Sequence, residues 1–324
     1  MKEAQVTIQS DVQLKGSLSI PSTNDHQVSP AIVIVPGTGK LDRNGKVNKK
    51  LDLQLYRQLA EKLTEMGFVT LRYDKRGIGE SEGDFNTTGM WDLVTDIQAA
   101  VIFLKNRPEV DSEKVIILGH SEGSMLGTAA AVREPIAGLV LLAGAAETLS
   151  EATKRQRDLA TQDILNAKGF LGWYLRLVGV PNKIEKQAQK YTKKVMDSTE
   201  DVMNVQFQSI NAKWMREHFS YNVRDDLAKV TCPVLAITGA RDIQANPELV
   251  KEVPNYVKGD SEYHIVENMG HSLKYQAKRS NMLSAKKDII AESTLPLHPE
   301  LVELMGEWLN RHFSNTIEKT TVTI

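Results

Sequence analysis

One cysteine in 324 residues, Cys232, leaves no internal disulfide and no cysteine-built metal site. Its neighbours Val230, Pro233 and Val234 point to a small, buried hydrophobe. No charge of one sign dominates: 40 Lys and Arg stand against 41 Asp and Glu, a net charge of −1. That balance offers no basic footprint for nucleic acid. The most apolar stretch, Ile136 to Ala146, is too short to cross a bilayer. Met1 to Gln5 lead into alternation with no apolar segment of signal-peptide length. A cytoplasmic chain without a membrane span is therefore expected. Paired ligand spacing of the H-E-x-x-H kind is missing, so neither a metal nor a cofactor is implied. Two glycine motifs fail as nucleotide sites. After Gly77 and Gly79, Glu82 stands where a dinucleotide fingerprint needs its third glycine, and Val47 follows Gly45-Lys46 where a P-loop needs Ser or Thr.

What is present reads as an ordinary globular composition, 41% hydrophobic and 25% charged, long enough for one large domain with an insertion. Residues 5–20 alternate as an antiparallel hairpin would, with Asp11 near its turn. Apolar runs at 31–35, 68–74, 115–118 and 138–144 alternate with helical spacings at about 53–66 and 91–104. A further helix follows 121 and reaches about Val132. That alternation predicts an α/β fold, a mostly parallel sheet with helices on both faces. From 147 to 225 the pattern changes to long helical stretches rich in Lys, Gln and Glu, with no clear strand. This region carries Phe170, Trp173, Trp214 and Phe219, and is read as an inserted, mostly helical cap. The core is then 1–146 and 226–324. Strand signals return at 233–239 and 263–267, a closing helix spans Glu300 to His312, and the tail after Ser314 reads as frayed or strand-like.

The chain is organised around Val115-Ile-Ile-Leu-Gly-His-Ser-Glu-Gly-Ser124. A buried strand runs into a tight turn with Ser121 at its apex, and small residues then open a helix. Gly119 and Gly123 flank the serine where side chains would not fit. The helix N-terminus behind it suits a developing oxyanion. These residues resemble the nucleophile elbow of the α/β-hydrolase family. The resemblance implies a base and an acid in the chain order Ser, Asp/Glu, His, each at the C-terminal edge of the sheet. Gly239-Ala-Arg-Asp242 resembles the acid loop and Asn268-Met-Gly-His271 the histidine loop. Ser121 is thus the candidate nucleophile, His271 the base and Asp242 the orienting acid. Asp226, Asp260 and Glu267 compete for the acid. His26, His120, His218, His264, His298 and His312 compete less well for the base, and His120 reads as support for the elbow. For the oxyanion hole the resemblance implies the backbone N–H groups of Glu122 and Thr38, with Pro36 replacing the family's common histidine.

Asp74-Lys-Arg-Gly-Ile-Gly-Glu-Ser81 is similar to a segment of the branch containing esterases and serine aminopeptidase-like hydrolases. Its expected role is architectural, with Asp74 and Arg76 pairing to brace the loops. Gly37 to Arg43 also resembles that branch, and the lysines from 40 to 50 read as a solvated basic loop. The resemblance implies a serine hydrolase cleaving small-molecule carboxylic esters through an acyl-enzyme. Acyl thioesters, or amides and peptides, are the alternative substrates. A non-catalytic ligand-binding protein of the same fold ranks last. Natural substrate and oligomeric state stay open.

Overall fold

The computed structural model describes residues 1–22, 28–205 and 208–314, leaving aside the Leu171 side chain. His26 and the tail after Ser314 lie outside the described residues. Strands β1 (Lys2–Gln9) and β2 (Gln13–Ile20) form the expected hairpin, in register from Lys2 opposite Ile20 to Gln9 opposite Gln13. Next come β3 (Ser29–Val35), a short pair β4 (Lys46–Asn48) and β5 (Leu51–Asp52), helix α1 (Leu55–Glu65) and β6 (Val69–Tyr73). Helix α2 (Met90–Lys105), β7 (Val110–His120), α3 (Glu122–Ala131) and β8 (Gly138–Leu142) complete the first half. The main sheet runs β1-β2-β6-β3-β7-β8-β11-β12, with β11 (Val234–Gly239) and β12 (Ser261–Val266) returning after a long excursion. From β6 to β12 the strands are parallel, whereas β2 joins β6 antiparallel.

Strand period sorts the core into two faces. Ala31, Val33 and Val35 of β3 pack with Leu93, Ile97 and Val101 of α2 and with Leu126 of α3. Ile32 and Ile34 of the same strand pack on the other face, with Leu55, Leu59 and Leu63 of α1 and with helix α11 (Pro299–Phe313). Residues 115–118 of β7, 139–142 of β8 and 234–237 of β11 divide in the same way, so both faces are dry and these runs are wholly apolar. Each fully buried leucine of α1 contributes roughly 1.5–3 kcal/mol. That helix ends where Gly67 takes φ 98°, with Gly67 N–H bonded to Thr64 O and Phe68 N–H to Leu63 O.

The excursion between β8 and β11 holds α4 (Leu149–Asn166), α5 (Gly169–Leu177), α6 (Val180–Met196), α7 (Ala212–Ser220) and α8 (Val223–Leu227). It also holds a strand pair, β9 (Val202–Val205) and β10 (Gln208–Asn211), which corrects the expectation of a region without strands. Two- and four-residue ladders carry too little alternation to stand out from polar helix. After β11 come α9 (Val253–Tyr256) and, past β12, α10 (Ala285–Glu292). Cys232, in the turn before β11, is only partly buried, yet burial still pushes its thiol up to about 11.

Candidate active site

The site begins at the end of β7. Ser121 takes φ 57° and ψ −119°, a strained conformation for a residue with a Cβ, and leads straight into α3. The turn is as tight as its glycines require: a Cβ on Gly119 would overlap the Gly123 carbonyl, and one on Gly123 would overlap the Val35 carbonyl. Ser121 N–H donates to Leu142 O at 2.8 Å, and Ser124 Oγ donates to Gly119 O at 2.9 Å, tying the elbow to β8 and to itself.

His271 enters from the loop after β12, with its Nε2 3.0 Å from Ser121 Oγ. Its Nδ1 lies 2.8 Å from Asp242 Oδ2 in the loop after β11. Asp242 is fully buried, and its second oxygen accepts backbone N–H bonds from Gln244 (2.7 Å) and Ala245 (2.9 Å). A carboxylate accepts, so the His271 proton sits on Nδ1 and Nε2 faces the serine as an acceptor. Asp226 is instead bonded to Arg133, Lys229 and Tyr221, and Asp260 and Glu267 are exposed. The other described histidines lie apart from Ser121 Oγ: His264 beside Glu262, His312 beside Asp260, and His298 against the Tyr275 ring.

His120 does more than fill the elbow. Its Nε2–H donates to the His271 backbone carbonyl at 3.0 Å, which leaves Nδ1 to accept from the Tyr56 hydroxyl at 3.2 Å. Tyr56 Oη in turn accepts from Gly37 N–H at 2.7 Å. A relay therefore joins the loop after β3 to the loop carrying His271. Burial, then the neighbouring His271, drives His120 down to about 3, so it stays neutral; burial likewise raises the Tyr56 hydroxyl.

Lys75 holds the other side of Gly37, its buried ammonium donating to the Gly37 carbonyl at 2.7 Å. In a trans peptide C=O and N–H point in opposite directions, so fixing this carbonyl aims the Thr38 N–H away from Lys75. Thr38 and Glu122 both border the cavity holding Ser121, and the backbone N–H of neither has a protein acceptor among the described residues. The Glu122 side chain points the other way, into a buried cluster. Burial alone would raise its carboxyl, but Lys75 at 3.7 Å, His218 at 3.1 Å and Trp214 Nε1–H at 2.7 Å hold it at about 2. Burial lowers the Lys75 ammonium, with Glu122 opposing the shift.

Residues 52–276 match the family model for serine aminopeptidases of the S33 type. The chain belongs to this family of α/β-hydrolases. The chain is 27% identical over 234 residues to esterase EstD of Thermotoga maritima, a match covering 71% of this chain and 50% of that one. It is 29% identical over 160 residues to thiohydrolase apmlB of Arthrinium phaeospermum, covering 46% and 48%. The chain thus matches about half the length of each of these two relatives. In fold it is similar to Est1E of Butyrivibrio proteoclasticus, solved with ferulic acid bound, at a TM-score of 0.61 and 20% identity over 95% of this chain and 98% of that one.

Two features of the structure differ from the sequence reading. Asp74 and Arg76 do not pair with each other. Asp74 accepts from Arg43 through its backbone N–H and guanidinium (both 2.7 Å), while Arg76 binds Asp96 at 2.7 Å and Asp11 at 3.1 Å. Arg43 is accordingly buried rather than part of a solvated basic loop, although Lys46, Lys49 and Lys50 are exposed. Of the aromatics in the excursion, Trp214 borders the cavity, whereas Phe170 and Trp173 face solvent. Lys75, Tyr56 and Lys274 were given no role in the sequence reading, and His218 was weighed only as a rival base. Lys274, fully buried three residues after His271, donates to Leu53 O and Ser293 O, and burial lowers it to about 8. The 580 Å³ cavity over Ser121 shares Thr38, Gly39, Glu122 and Trp214 with an adjacent apolar recess of 310 Å³, walled by Phe85, Leu93, Ile210 and Met215.

Proposed function

We propose that the protein is a serine hydrolase of carboxylic esters, with residues 147–225 acting as a cap over a core formed by 1–146 and 226–324. The observation that carries this reading is the unbroken line from Ser121 Oγ through His271 to Asp242, at 3.0 and 2.8 Å. Ser121 Oγ attacks the ester carbonyl as its proton passes to His271 Nε2, and Asp242 steadies the imidazolium. The carbonyl oxygen becomes an anion facing the N–H groups of Thr38 and Glu122, each worth about 2.7–4 kcal/mol to the transition state. Collapse expels the alcohol, which takes the proton from His271. Water, giving a proton to His271, then attacks the acyl-enzyme, and collapse returns that proton to Ser121 Oγ as the acid is released. No cofactor takes part in these steps.

The charges around the cavity favour a neutral ester over a peptide with a free N-terminus. Its acidic lining residues are Glu122 and Glu147. Glu122 is matched by Lys75 at 3.7 Å, and Glu147 by Arg155 at 2.7 Å. No unmatched carboxylate among the described lining residues is left for a substrate ammonium. An apolar arm of the substrate fits the recess behind Trp214. Thioesters fit the same chemistry, and the resemblance to a thiohydrolase keeps them as the second reading. Turnover of p-nitrophenyl esters, acyl-CoA and aminoacyl anilides separates the three. Ser121→Ala should lower kcat by about 10⁴-fold or more, and a fluorophosphonate should label Ser121. An unlabelled chain with undiminished Ser121→Ala activity sinks the reading.

A further inference from the structure

Helix α5 presents its apolar stripe to water. Phe170, Trp173, Tyr174, Leu177 and Val178 follow the i, i+3, i+4, i+7, i+8 spacing that normally faces a core, yet they are 37% to 77% exposed. Their rings touch one another on the surface, Phe170 to Trp173 at 5.6 Å and Phe170 to Tyr174 at 6.3 Å between centroids. The orientation is held from the opposite face. Arg176 donates to the carbonyls of Ile164 (2.9 Å), Leu165 (3.2 Å) and Ala167 (2.8 Å) at the end of α4, and Gly172 packs where a Cβ would strike the Ala167 carbonyl. The helix cannot roll its stripe inward without giving up these bonds.

The charge around the stripe is one-sided. Helix α6, packed against α5, carries Lys183, Lys186, Lys190, Lys193 and Lys194. With Lys168 and Arg176, residues 168–197 hold seven cations against Glu185 and Asp197, the latter paired with Lys193 at 2.8 Å, in a chain whose net charge is −1. All five lysines of α6 are exposed. Apolar aromatic residues beside a lysine-rich surface match the make-up of a helix that lies in a membrane interface. A second copy fits poorly, because a two-fold contact through α5 would set this positive surface against itself. No helix among the described residues is long and apolar enough to cross a membrane, so the contact would be peripheral.

We propose that the outer face of α5, with the lysines of α6, docks the protein onto an anionic phospholipid surface. The aromatic stripe enters the headgroup region and the lysines face lipid phosphates. The first turns of α4, not α5, border the cavity over Ser121, so docking is separable from hydrolysis.

The test is co-sedimentation of the full chain with vesicles of mixed phosphatidylglycerol and phosphatidylcholine, with pure phosphatidylcholine vesicles alongside. The wild type should bind the anionic vesicles at least about tenfold more tightly than the neutral ones, and raised salt should weaken that binding. Trp173 emission should shift to the blue on binding. A Phe170→Ser/Trp173→Ser variant should lose binding by about tenfold or more, with an unchanged thermal midpoint because both side chains are exposed. A Lys183→Glu/Lys186→Glu/Lys190→Glu variant, which keeps the apolar stripe, should lose the preference for anionic lipid. The proposal is overturned if the wild type does not sediment with anionic vesicles, if lipid charge is immaterial, or if both variants bind like the wild type. A wild-type dimer that the double serine variant abolishes, without vesicle binding, would assign the stripe to a second copy and overturn it equally.

Discussion

The backbone of Gly37 is gripped by two side chains, Tyr56 at its N–H and Lys75 at its carbonyl. Tyr56→Phe would leave the Gly37 N–H and His120 Nδ1 without partners in a buried setting. It should cost about 1–3 kcal/mol of stability, read by urea unfolding. It should also lower kcat for a short ester more than it raises KM, because the proposed oxyanion donor, the Thr38 N–H, is needed most in the transition state. A change confined to KM would show that the relay does not position the hole. Tyr56 and Lys75 escaped the sequence reading for a simple reason. A tyrosine on a buried helix face and a lysine inside an Asp-x-Arg-Gly turn read as core and as loop, and their shared target, the backbone of one glycine, carries no side-chain signature.

Elements meet at this site through buried contacts that tolerate little change. The α3 N-terminus lies against the end of β3 because residue 123 has no Cβ, and Gly123→Ala would press a methyl into the Val35 carbonyl. Displacing the elbow by about an ångström should lower kcat/KM on the order of 10²-fold. A variant with wild-type turnover and wild-type thermal midpoint would refute the close approach. The loop after β3 is fastened to the loop after β6 by Arg43 and Asp74, both buried. Arg43→Met should destabilise by about 3–5 kcal/mol, since it leaves a buried carboxylate without its cation; denaturant unfolding reads this directly. The elbow was legible because strand, glycines and small-residue helix are consecutive. The partner of Asp74 was not, because it lies 31 residues away in chain on another loop.

Across the whole molecule, acid should act first through His120. Its pKa falls from 6.5 to about 3 on folding, chiefly by burial. Below pH 6.5 the unfolded chain therefore takes up a proton that the native chain refuses. The stability associated with neutral His120 is full above 6.5 and is lost as pH falls toward about 3. Glu122, lowered from 4.5 to about 2, adds its own loss only below 4.5. Between pH 6.5 and 4.5 the unfolding free energy should fall by up to about 1.4 kcal/mol per unit from this one group. His120→Gln should flatten that arm by the same amount, and an unaltered slope in the variant would exclude His120 as its source.

The order of strands and helices, the Ser121 corner and the loops bearing Asp242 and His271 could all be read from the chain. Each is written in neighbouring residues, as a local period or a run of small side chains at a bend. Only the tertiary structure set Asp74 against Arg43, joined Tyr56 and His120 into one relay, buried Glu122 between Lys75 and His218, and turned the stripe of α5 outward. Charge pairing and the facing of a helix depend on which distant surfaces meet, and a linear pattern carries the period of a stripe without the side to which it turns.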